Sequence, residues 1–517
     1  MKWWDDLWLN ESFATFMAYK VLNNYWPEWD IWTQYLTMTV FDGMYLDSLK
    51  SSHPIKVKVT SIEEMNELFD EIAYDKGGSV LRMIERFMGE EAFKSGLRTY
   101  MKKFEYQNTE AKDLWKALDE KNKEDIEPLV EKFVTQIGFP YVTVEKDKLV
   151  QNRFLNDTDT QHKEEWDIPL VVQYNSQKEK NIVMKGKTMP FTETGDLQTI
   201  NGDYGGFFIT KYSDELLKKV SASYINITTR EKIGFIHDLY YLVKFRKSSL
   251  KTLLNFYQTN LIKEQDSAVL FYAVEVLESI HQLIESSETE QILHSLAKHS
   301  VEVVGLEAEL SEDSYSTFLR ASALSYLSEI KDETIAEFLN NKFKNYLDNP
   351  VLLHPDLHQI TFSNAVISSD INYEKMKELY LKSTVQEEKV KFLNALGKTQ
   401  NKKLLIKTLD FSLSPEVKFA NVMYAVNSVS NNPVGKEIAL DWIINQWDEF
   451  GKRVGGHGGV LLRRLVKIVM PVCGVGHEDK VKKFIEKNKI IGLEKTFEQI
   501  WEELQINSEF VKLNNVD

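Results

Sequence analysis

Along this single chain of 517 residues the hydrophobic period changes twice, and this constrains the fold more than any other feature. Up to about residue 137, apolar residues recur at three- and four-residue spacing, the period of a helix that buries one face. Leu9, Phe13, Phe16, Met17, Val21 and Leu22 follow it first. Val80, Leu81, Ile84, Phe87 and Met88 follow it in a segment that starts at Ile72 and that Gly89 should end. Further helices are predicted near 90–104, 110–121 and 127–137. At Gly138-Phe139-Pro140 the pattern becomes a series of short strand-like runs: Tyr141 to Val144, Leu149 to Phe154, Ile168 to Tyr174, Ile182 to Lys185 and Gly206 to Thr210. From about 214 onward helix-length segments return, broken at polar stretches such as Ser286-Ser287 and Asp348-Asn349-Pro350. The expected fold is multidomain and mostly α. It comprises a helical domain over 1–137, a small β-sandwich over 138–213 and a large, irregular, HEAT-like α-solenoid over 214–517.

Composition excludes several function classes. A net charge of -15 opposes nonspecific binding to nucleic acid, which needs a basic face, and docking on anionic lipid. Cys473 is the one cysteine, so neither an internal disulfide nor a cysteine-based zinc site can form, and a reducing, cytoplasmic setting is expected. No uncharged run is long enough to span a bilayer, and Asp5, Asp6 and Glu11 interrupt any signal-like start.

The opening residues are unusual. Trp3, Trp4 and Trp8, with Leu7 and Leu9, predict immediate burial. Such a start is expected of the middle of a domain, with part of the partner surface upstream of Met1. Asp5, Asp6 or Asn10 is expected to cap the helix that follows.

Glu11 is the carboxylate of most interest. Its helical neighbours Leu7, Trp8, Ala14 and Thr15 are largely apolar, so a charge there needs a partner or a metal. On spacing alone the ordinary reading is a carboxylate favoured by the helix N-terminus. The other motifs carry less. His354 and His358 share helical spacing, but Pro355 would start the helix after His354 and take it off the common face. Gly455-Gly456-His457-Gly458-Gly459 lacks the lysine and strand context of a phosphate loop and reads as a helix connection. His53 and His237 read as structural or surface residues. Arg453, Arg463 and Arg464 read as solvated helix charges, with contacts to peptide carboxylates as the alternative.

The residues around Glu11 change its reading. Lys2-Trp3-Trp4-Asp5-Asp6-Leu7-Trp8-Leu9-Asn10-Glu11-Ser12-Phe13-Ala14 closely resembles the segment bearing the third zinc ligand in aminopeptidase N-type zinc metallopeptidases, the gluzincin group with an HExxH…Glu pattern. Ser12 stands where the family's WLNEGFA has glycine. Downstream, Tyr74-Asp75-Lys76-Gly77 resembles the family's Tyr-x-Lys-Gly segment. The resemblance covers essentially the whole chain and implies the C-terminal helical part of a thermolysin-like catalytic domain, then the sandwich and the helical domain. It implies Glu11 as a Zn²⁺ ligand, Tyr74 as catalytic oxyanion donor, and peptides as substrates that lose their N-terminal amino acids.

One departure limits what the resemblance implies. Both HExxH histidines and the general base precede the glutamate by more residues than stand before Glu11, and no HExxH occurs elsewhere. Catalytic zinc takes about three protein ligands and a positioned base. The expectation is a truncated aminopeptidase chain that binds no zinc and is inactive alone, with the missing N-terminal portion as its partner. A non-catalytic peptide-binding or assembly scaffold is the alternative.

Overall fold

The computed structural model describes residues 2–59, 70–120, 122, 125–156, 162–193, 196–284, 286–308, 312–453, 460–488 and 493–515. The glycine-rich stretch 455–459 lies outside them. The chain divides into two compact units, Met1–Phe256 and Tyr257–Asp517.

The first unit opens with the helix Leu7–Tyr25, which buries Leu7, Trp8, Leu9, Ser12 and Phe16. The expected burial holds for Trp8, 1% exposed and stacked on Trp115, but fails for Trp3 and Trp4, which are 62% and 37% exposed. The reason is local. Trp3 is extended backbone and Trp4 begins a short turn, so neither lies on the buried face of the helix. The expected side-chain cap is also absent. Asp6 occupies the cap position without a capping hydrogen bond, Asp5 accepts from the Val59 N–H at 2.9 Å instead, and Asn10 lies inside the helix.

The second periodic segment becomes a wide π-type turn, Ile72–Lys76, running into the helix Gly77–Met88. Gly89, at φ +87°, ends it as expected. Helices Glu90–Lys103, Ala111–Asp119 and Ile126–Thr135 follow.

Among the described residues seven strands then form two sheets. They are β1 (Pro140–Val144), β2 (Lys148–Arg153), β3 (Ile168–Tyr174), β4 (Glu179–Met184), β5 (Thr188–Pro190), β6 (Leu197–Thr199) and β7 (Ile209–Tyr212). One sheet has the order β5-β2-β1-β7 and the other β4-β3-β6. β1 pairs antiparallel with β2 and parallel with β7. The last strand starts later than its β-like sequence predicts. The Asn201 side chain accepts from Gly206 N–H at 2.7 Å and donates to its carbonyl at 3.3 Å, which takes Gly206 out of the ladder. The three-residue strands β5 and β6 carry no pattern long enough to predict.

The second unit is helical throughout its described residues. Ser267–His281, Ser314–Glu329, His358–Ser368, Gln386–Leu396, Val422–Ser430, Val460–Cys473 and Glu494–Asn514 pack each on the next, and the intervening helices form a second layer. This alternation is the solenoid expected of paired helices that each bury one face against their neighbours. No described helix is long and apolar enough to cross a membrane.

Candidate active site

Two segments far apart in sequence build the site. The helix Leu7–Tyr25 buries Ser12 completely and leaves Glu11 half-buried beside it. Ser12 Oγ donates to the Ala73 carbonyl at 2.7 Å, so its hydroxyl ties this helix to the turn Ile72–Lys76. Close approach is possible because position 77 is glycine. A Cβ there would lie 1.9 Å from Ser12 Oγ, and one at Gly78 would lie 2.8 Å from the Tyr35 hydroxyl.

The contact brings the two predicted residues together: the Tyr74 hydroxyl donates a hydrogen bond to the Glu11 carboxylate. Desolvation first, then the Glu11 charge and hydrogen bond, pushes the Tyr74 phenol up to about 12. It therefore stays protonated at neutral pH and remains an O–H donor.

Tyr74 is anchored from behind. Lys76, two residues on, is fully buried and pairs with the equally buried Asp47 at 2.9 Å. Burial lowers the Lys76 pKa and Asp47 opposes that shift. Lys76 Nζ also donates to the Gly138 carbonyl at 3.1 Å, and Asp47 accepts from Gly138 N–H at 2.9 Å. Gly138 has φ +85°, where side chains are disfavoured. The pair thus grips both polar groups of the residue that leads into β1.

Sequence reading missed the acidic surroundings of the turn. Burial, then the charges of Asp42, Glu71 and Asp70, pushes Asp75 up to about 8. Burial and Glu71 push Asp42 up to about 6. A carboxyl raised in the fold stays protonated while its unfolded counterpart, near 3.9, ionises. Through these two groups, stability is highest below about pH 4 and falls as pH rises toward 8. Asp75→Asn should match the wild type in melting temperature at pH 4 and exceed it by a few degrees at pH 8, at roughly 2–4 °C per kcal/mol. Calorimetry at the two pH values checks this.

Of the remaining sequence candidates, His53 is joined to the acidic surroundings of the turn through Asp70. His53 bonds Asp70 at 2.8 Å and the Pro54 carbonyl, and His237 is buried against Phe41. His354 caps the turn Pro355–Leu357 while His358 begins the next helix, so the two do not share a helix face. Arg453 is paired with Glu449.

The donor set tests the implied zinc. Glu11 offers one carboxylate, and among the described residues no group of three His, Cys, Asp or Glu side chains is placed to hold a metal ion. A catalytic zinc with three protein ligands does not fit these residues alone.

Residues 199–506 match the ERAP1-like C-terminal domain, and residues 1–133 match the peptidase family M1 domain. The chain belongs to the aminopeptidase N-type, M1 metallopeptidase family. Its relatives include the alanine/arginine aminopeptidase of Saccharomyces cerevisiae, 30% identical over 530 residues, 99% of this chain and 61% of that protein. Aminopeptidase M1 of Arabidopsis thaliana is 29% identical, over 99% of this chain and 62% of that protein. A probable aminopeptidase 1 of Sulfurisphaera tokodaii is 27% identical, over 100% of this chain and 63% of that protein. The M1 chain thus spans about three-fifths of the length of these relatives.

Proposed function

We propose that this chain carries the carboxylate–phenol half of a zinc aminopeptidase centre that releases N-terminal amino acids from peptides. The observation behind this reading is the hydrogen bond from the Tyr74 hydroxyl to Glu11 within a match to the M1 domain. In it Glu11 is one oxygen ligand of the metal, and Tyr74 donates to the oxyanion that develops on the attacked carbonyl. Two imidazole ligands and a general base are needed beyond these residues, so the 517 residues alone bind no zinc tightly and turn over little or no substrate. The partner is a segment bearing HExxH. The single, buried Cys473 supports a cytoplasmic setting.

An aminoacyl-anilide assay tests the reading. The chain alone should be inactive. Adding a relative's HExxH-bearing segment should restore turnover and zinc binding, and Glu11→Ala should remove both. Turnover that survives Glu11→Ala overturns it. Peptide binding without turnover in either state supports a scaffold instead.

A further inference from the structure

A cavity of about 350 Å³ in the second unit has a chemistry that the peptidase reading does not use. It lies where four helices end. Ser267–His281 stops at Gln282, Ser314–Glu329 at Ile330, Gln386–Leu396 at Gly397 and Val422–Ser430 at Asn431. Gln282, Ile330 and Asn431 line the cavity directly, as does Lys398, next to Gly397. Helix C-termini present carbonyl oxygens and partial negative charge, which favour a cation.

Two side chains one helical turn apart strengthen that preference. Glu278 and His281 both line the cavity. Buried His281 Nδ1 has no hydrogen-bond partner, and the half-buried Glu278 carboxyl beside it faces the same cavity. A buried polar atom left without a partner costs free energy unless a ligand satisfies it. Nearby cations are already engaged. Lys398 pairs with Glu329 at 2.6 Å, and Lys436 donates to the Gln282 carbonyl. Ile284 and Ile330 supply apolar wall.

We propose that this cavity binds a primary ammonium group on a short aliphatic chain, with Glu278, His281 Nδ1 and a helix-end carbonyl accepting its three N–H bonds. The volume suits a ligand of that size. Two sources share this chemistry, a free alkylamine and a lysine side chain of a peptide.

Protonation gives a specific signature. Burial, then the charges of Glu275 and Glu329, pushes Glu278 up to about 8 against the opposing charge of Lys398. Tyr326, His281 and Lys436 complete the titratable and charged lining. At pH 7 Glu278 is mostly protonated, so binding an ammonium ion must expel close to one proton.

Isothermal titration of the full chain with n-pentylamine, an N-acetyl-lysine amide peptide and, as control, pentanoate tests the proposal. At least one of the two ammonium ligands should bind, pentanoate should not, and the heat should vary with buffer ionisation by about one proton at pH 7. Glu278→Gln, which removes no described hydrogen bond, should weaken binding at least tenfold, and His281→Phe should weaken it independently. If neither ammonium ligand binds, or binding is unchanged in both variants, the proposal is overturned.

Discussion

Asp47→Ala is expected to destabilise the first unit by about 3–5 kcal/mol, the cost of leaving a buried charge without its partner. Lys76 would keep a fully buried ammonium with no counter-charge, because the Asp47 carboxylate at 2.9 Å is its described ion-pair partner. The Gly138 N–H would lose its acceptor as well. Urea unfolding checks the size of the effect. Replacing both residues by apolar ones, Asp47→Leu with Lys76→Met, should recover part of the loss and not all of it. The isolated charge disappears in the double variant, but the Gly138 N–H and carbonyl remain unsatisfied, at about 1–3 kcal/mol. A double variant as unstable as Asp47→Ala would mean that the loss comes from packing rather than from charge.

That pair also shows where sequence reading stops. Periodicity located the helices near Glu11 and after Tyr74 because it reports which face is buried, a local property. The strand-like run also located β3 to the residue, since Ile168–Val172 is continuously apolar and Tyr174 closes it. Trp3 and Trp4 misled because apolar character predicts burial only when the backbone puts the side chain on a packed face, and theirs does not. A lysine four residues from helix-forming apolar positions reads as solvated. Its complete burial depends on Asp47 and Gly138, which no local pattern links to it. The raised Asp75 and Asp42 were illegible for the same reason, since desolvation and facing charges arise only after the chain has folded. Glu11 and Tyr74 were legible through two short segments that resemble a family. The chain then needed Ser12, Gly77 and the π-type turn to bring them within hydrogen-bonding distance.

Tyr74→Phe is expected to reduce kcat by about 10²–10³-fold when turnover is restored with an HExxH-bearing segment, the usual cost of one oxyanion donor. KM should change little, because the hydroxyl is proposed to matter for charge that develops during the reaction and not in the bound substrate. The fold should be unaffected. Tyr74 is only half-buried, the change removes one hydroxyl, and the turn stays tied by Ser12 and by the Lys76–Asp47 pair. Glu11 would lose the hydrogen bond it accepts from the phenol, so zinc affinity must be measured in parallel. Unchanged zinc stoichiometry with lowered kcat assigns the effect to the donor. Loss of zinc would instead make Tyr74 a positioning residue for Glu11. A kcat within a few-fold of the wild type would remove Tyr74 from the proposed chemistry altogether.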